Sequence, residues 1–152
     1  MKDVAIQLDS GSLRKAEDFV AAICYDNHLD NYHATIAVPV IGAVEQVMQY
    51  QDSKAPVPAP VSLLCKYCQE GISFTVTGDV SAFSEDALND ANSADALRDA
   101  VAVAHLLADK VEVLNDGCAL RMFFFVQGID SSECSRRISV IKHFYVSKCV
   151  EV

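Results

Sequence analysis

Val4, Ile6 and Leu8 alternate with polar or small neighbours, the two-residue period of a strand with one buried face. Behind them, Ser10 or Ser12 can cap a helix in which Leu13, Ala16, Phe19, Val20 and Ile23 recur at three- and four-residue spacing. Arg14, Lys15, Glu17 and Asp18 fall on its other side, and the pattern fades near Asn27. A second helical run extends from about Tyr32 to Tyr50, with Pro39 either kinking it or marking its true first turn. Residues 51–60, QDSKAPVPAP, hold three of the four prolines and predict a connector that is neither regular helix nor central strand.

Past the connector, VSLLCKY and ISFTVTG predict a hairpin about Gly71, with Ile72, Phe74 and Val76 facing in and Ser73, Thr75 and Thr77 facing out. Small and polar residues from Ser81 to Ser93 read as a loop or a short irregular helix. A firmer helix is expected from Ser93 through Asp109, with Leu97, Ala100, Val101, Ala104 and Ala108 on one face. Residues 110–126 read as two strands about Asn115-Asp116-Gly117, and residues 138–152, ISVIKHFYVSKCVEV, as one more strand. The order predicts an α+β, two-layer sandwich with helices packed on one face of a mostly antiparallel sheet. Residues 1–126 make the domain, and 127–152 add an extra strand packed on it.

Composition narrows the function classes. The chain has 152 residues, 51% of them hydrophobic and 22% charged, enough for one domain with a continuous core. A formal charge of −9 with twelve scattered basic residues argues against nucleic-acid binding, which needs a concentrated Lys/Arg surface. No apolar run follows a basic start and no stretch is long enough to span a bilayer, so a cytoplasmic location without membrane contact is expected.

Candidate chemistry is sparse. Six cysteines without a secretory signal read as small buried hydrophobes rather than disulfides. Cys65 and Cys68 have the spacing of half a zinc site or a redox pair, but residues three apart on a strand point to opposite faces about 10 Å apart. A metal or redox module on this pair is an alternative that needs a turn beginning at Cys68. His28, His33, His105 and His143 lack metal-ligand spacing and read as surface or capping residues; His28, His33 and Asp30 straddle a helix boundary and make no site. GxSxG is missing, and Phe123-Phe124-Phe125 reads as a strand within the sheet.

The element order and three local patterns nonetheless carry a resemblance. LLADKVEVLNDGCALRMFFFV (106–126), GAVEQVMQY on the second helix and FTVTGDVSAF (74–83) after the hairpin resemble the histidine-kinase-like ATPase fold, most closely the anti-sigma factor serine kinases, over residues 1–126. That resemblance implies a glutamate general base and, four residues on, an asparagine magnesium ligand on one helix face; the matching positions are Gly42 and Gln46. Glu45 lies about 100° around the helix and does not substitute. The family's aspartate-x-glycine-x-glycine turn, where adenine is recognised, falls on Gly78, Val80 and Ala82, and Asp79 is one place off. Glycines of the phosphate loop fall near Arg98 and Ala100, with no glycine between Gly78 and Gly117.

Every nucleotide-contacting pattern is altered while the apolar framework persists. The resemblance therefore implies a regulatory, protein-binding pseudoenzyme with no catalytic residues, no metal and no cofactor, its vestigial nucleotide site formed by Gly42, Gln46, Gly78, Val80, Ala82 and Arg98. Its implied partner is a sigma factor or an anti-sigma antagonist in transcription regulation, with a homodimer through the first strand and helix. The alternative is an active ATP- and magnesium-dependent serine kinase using Gln46, Asp79 and Arg98.

Overall fold

The computed structural model describes residues 4–8, 13–54, 60–68, 71–83, 100–125 and 139–142. Five strands, β1 (Val4–Leu8), β2 (Val61–Cys68), β3 (Gly71–Thr77), β4 (Lys110–Leu114) and β5 (Ala119–Phe125), form one sheet in the order β1-β2-β3-β5-β4. Every neighbouring pair is antiparallel. Helices α1 (Leu13–Asp26), α2 (His33–Lys54) and α3 (Ala100–Leu107) pack against one face, giving the two-layer α+β sandwich that the patterning predicts. Among the described residues no helix is long and apolar enough to cross a membrane.

The core is built on β3. Ile72, Phe74 and Val76 point into it, and Phe74 meets Phe19 of α1 and Phe124 of β5 edge-on, at ring separations of 6.4 and 6.3 Å. The first contact joins the layers and the second ties β3 to β5 on the buried face, and truncating Phe74 to alanine costs about 3 to 5 kcal/mol. Ser73 and Thr75, expected to face solvent, do lie on the outer face but are buried. The sheet order explains it: Lys66 and Phe123 flank Ser73, while Leu64 and Arg121 flank Thr75, and long side chains on both sides shade a short one.

α2 is the central helix, lying between α1 and α3. Ile36, Val40, Ala43, Val44 and Val47 are completely buried on one face, and Val38, Ile41 and Met48 extend burial beyond it, so the helix is apolar around more than half of its circumference. It starts at His33 and continues through Pro39, which is therefore not its first turn. It also runs into the expected connector, to Lys54. Gln51-Asp52-Ser53-Lys54 contains no helix breaker, which lets the helix continue through them.

α3 was expected to bury one face and buries two. Ala100, Ala104 and Ala108 join the main core, while Val103 and Leu107 pack with Val38, Val140 and Ile141. The expected strand at 138–152 is corrected on its described part: residues 139–142 are helical and sit on the helix layer. Val140 and Ile141 are adjacent apolar residues, as a helix packing against two neighbours needs, and their run of β-branched types misled the reading. Residues 55–59 of the connector and the whole stretch 84–99 lie outside the described residues.

Two reversals follow directly from local chemistry. Asn115, Asp116 and Gly117 all take positive φ (54°, 56° and 92°), and the Cys118 N–H donates to the Asn115 carbonyl at 3.1 Å, closing the β4–β5 hairpin. Asn, Asp and Gly tolerate this region best. At the end of α1, His28 takes φ 57°, with Leu29 N–H donating to Cys24 O at 2.7 Å and His28 N–H to Tyr25 O at 3.3 Å. That pair of bonds is a Schellman cap, with histidine where glycine is usual. Asn27 Nδ2 adds bonds to the Ile23 carbonyl (2.8 Å) and the Tyr67 hydroxyl (3.0 Å), tying the helix end to β2.

Candidate functional site

Gly42 and Gln46 lie four residues apart on α2 and therefore share a face. Gln46 is half-buried, and both ends of its carboxamide are engaged. Nε2 donates to the Ala82 carbonyl at 2.9 Å, and Oε1 accepts the Ala100 N–H at 2.8 Å. One side chain thus joins α2 to the end of the loop after β3 and to the first residue of α3. A glutamine can do this because its amide carries a donor and an acceptor on one planar group.

The loop itself, Gly78 to Phe83, is fastened to the β4–β5 turn. Gly78 N–H donates to Cys118 O and Phe83 N–H to Gly117 O, both at 2.9 Å, and Ala82 N–H closes back on Val80 O at 2.9 Å. Ser81 Oγ lies 3.7 Å from Cys118 Sγ. Ala82 and Phe83 are buried in the core and Val80 packs against it, whereas Asp79 is exposed. The loop's described backbone donors at Gly78, Ala82 and Phe83 are all used within the protein, which is how a chain leaves a sheet.

Of the positions matched to a nucleotide site, the fold gathers Gln46, Gly78, Val80 and Ala82 around this loop, with Gly42 one helical turn from Gln46. Arg98 lies outside the described residues. A Cβ at Gly42 would meet nothing within 4 Å, so the absence of a side chain there leaves open space rather than relieving a clash. Glu45 accepts a hydrogen bond from Gln49 Nε2 at 3.2 Å along the helix. Ala82 O and Ala100 N were missed by the sequence reading because they are backbone groups; the only signal was the two-sided amide at position 46.

Asp109, last residue of the Leu-Ala-Asp pattern, accepts the Phe125 N–H on Oδ2 at 2.7 Å, while its own N–H donates to Phe123 O at 2.9 Å. β4 begins only at Lys110, opposite Phe123, so Asp109 supplies the acceptor that the strand no longer provides.

The cysteine pair is placed by β2, which runs unbroken through Cys68, itself paired with Gly71. Cys65 is fully buried in the core. Among the described residues no group of three or more His, Cys, Asp or Glu side chains is arranged to hold a metal. Cys24, Cys65 and Cys118 are thiols. Burial, and secondarily the charge of Asp30, pushes the Cys24 thiol up to about 11 from an ordinary 9.0, which makes it a packing residue rather than a nucleophile. His28, His33 and His105 are exposed.

Compared with known proteins, the chain matches no family model, no curated protein and no solved structure.

Proposed function

We propose that this chain is a regulatory protein-binding module whose former nucleotide site is closed by its own Gln46. One observation carries the reading: the Gln46 carboxamide takes both the Ala100 N–H and the Ala82 carbonyl. An amide at a helix N-terminus is the kind of donor that holds a phosphate, and here it is already satisfied by an uncharged group. Gly42 offers no proton acceptor, and Val80 and Ala82 are committed to the core. Shape and surface remain, and these suit a partner protein. The resemblance described above suggests an anti-sigma type of module, with a sigma factor or an antagonist as partner.

The test is thermal unfolding with millimolar Mg-ATP. A ligand at a thousand times its dissociation constant stabilises by about 4.1 kcal/mol, or roughly 10 °C for a domain of this size. No shift is expected; a clear one overturns the reading in favour of a working kinase. Affinity capture from the native cell, with mass spectrometry, addresses the partner separately.

A further inference from the structure

The sheet has a second face, and its chemistry differs from the rest of the protein. Register places two rows of side chains there: Lys66, Ser73, Phe123 and Lys110 in one, and Leu64, Thr75, Arg121 and Glu112 in the next. The inward alternates Cys65, Phe74, Met122 and Phe124 are buried under the helices, so these rows lie on the side that no described helix covers. Two cations meet one aromatic ring on this face, and a third, Lys66, stands two strands away, in a chain of net charge −9. Lys110 Nζ lies 5.3 Å from the Phe123 centroid and Arg121 Cζ 6.0 Å, while Lys66 stands across Ser73.

The charges on this face do not cancel. Glu112 stands directly opposite Arg121, yet the ion pair on this face joins Glu112 to Lys110 at 3.7 Å. Arg121 Nε is buried without a hydrogen-bond partner, so this guanidinium keeps donor capacity that the protein itself does not use. A guanidinium over an aromatic ring, on a face that also carries Lys66 and Lys110, suits a carboxylate, which it binds through paired N–H donors.

We propose that the outer face of the sheet, centred on Arg121 and Phe123, docks an acidic segment of a partner protein. Carboxylates of that segment meet Arg121 and Lys66, and its apolar side chains lie on Phe123 and Leu64. The proposal rests on the protein-binding reading and says which surface performs it. Charge complementarity selects the partner: a segment as acidic as this chain's own surface is repelled elsewhere and attracted here.

The test is an amide-resolved NMR titration of the full ¹⁵N-labelled chain with an octaglutamate peptide. Shifts confined to Lys66, Ser73, Thr75, Lys110, Arg121 and Phe123 are expected, with affinity falling about tenfold or more in Arg121→Gln. Lys66→Gln, at an exposed position where folding is not in question, should weaken binding in the same direction, and Lys15→Gln on α1 should leave it unchanged. No shifts at millimolar peptide, shifts spread over α1, or equal binding of a single-stranded oligodeoxynucleotide would overturn it. If a partner captured from the native cell is retained fully by both Arg121→Gln and Lys66→Gln, this surface is wrong while the protein-binding reading stands. If no partner is captured but octaglutamate binds the face, the reading of cellular role is what fails.

Discussion

Gln46 Nε2 sits 2.9 Å from the Ala82 carbonyl, and the other end of the same amide receives the Ala100 N–H. Three segments therefore share one side chain. Gln46→Ala strands a carbonyl and an amide that are partly buried, so the variant should lose about 1 to 3 kcal/mol in denaturant unfolding. Gln46→Glu is more discriminating. A carboxylate still accepts from Ala100 but opposes the Ala82 carbonyl, and only its protonated form can donate. Its folded-state pKa is thus raised above the unfolded value, so the variant's deficit relative to the parent should be small at low pH and grow as pH rises through that pKa. A deficit independent of pH would show that Gln46 acts by packing alone.

Gly42→Ala should be stabilising. Alanine is better than glycine inside a helix by about 0.8 to 1.0 kcal/mol, and a Cβ here meets no neighbour within 4 Å. The contrast is Gly71, where a Cβ would collide with the Phe124 carbonyl across the β3–β5 pair. Gly71→Ala forces backbone to move and should cost about 1 to 3 kcal/mol. Opposite shifts in unfolding midpoint, with the Gly71→Ala loss at least as large as the Gly42→Ala gain, would check both assignments.

The layers were legible because burial follows periodicity. The first strand, the Ile72-Phe74-Val76 set and the Asn115-Asp116-Gly117 turn each carry a local signal that the fold keeps, although in the first strand only Leu8 is fully buried and Val4 is exposed. What escaped were features set by distant neighbours. Ser73 and Thr75 are buried because β3 became central, and Val103 and Leu107 form a second buried side because residues 139–142 lie against α3. Gln46 was singled out for its residue type and place, but its role depends on two backbone groups whose positions no local pattern encodes.

His28→Gly should stabilise the domain. A non-glycine residue in the left-handed region costs about 1 kcal/mol, and His28 is exposed at φ 57°. Part of that gain is offset by the greater freedom of glycine in the unfolded chain. The expected outcome is a gain of about 0.5 to 1 kcal/mol in denaturant unfolding with the slope unchanged. His28→Ala should gain little, since it keeps a Cβ in the same conformation.

Cys24 predicts an alkaline limit with a definite sign. Its thiol is pushed from 9.0 up to about 11 in the folded protein, first by burial and then by Asp30. Because the folded value is the higher one, the unfolded chain gives up this proton first, and the associated stability is full below 9.0 and lost as pH rises toward 11. A two-unit difference corresponds to about 2 to 3 kcal/mol. Tyrosines and lysines titrate in the same range, so the useful quantity is the difference between the parent and Cys24→Ala followed across that window. The parent should lose more stability than the variant over those two units, and at neutral pH a thiol reagent should leave Cys24 unmodified until the protein is unfolded. Parallel curves would mean that Cys24 ionises as readily in the core as in the open chain, and that its own burial shields it less than its geometry implies.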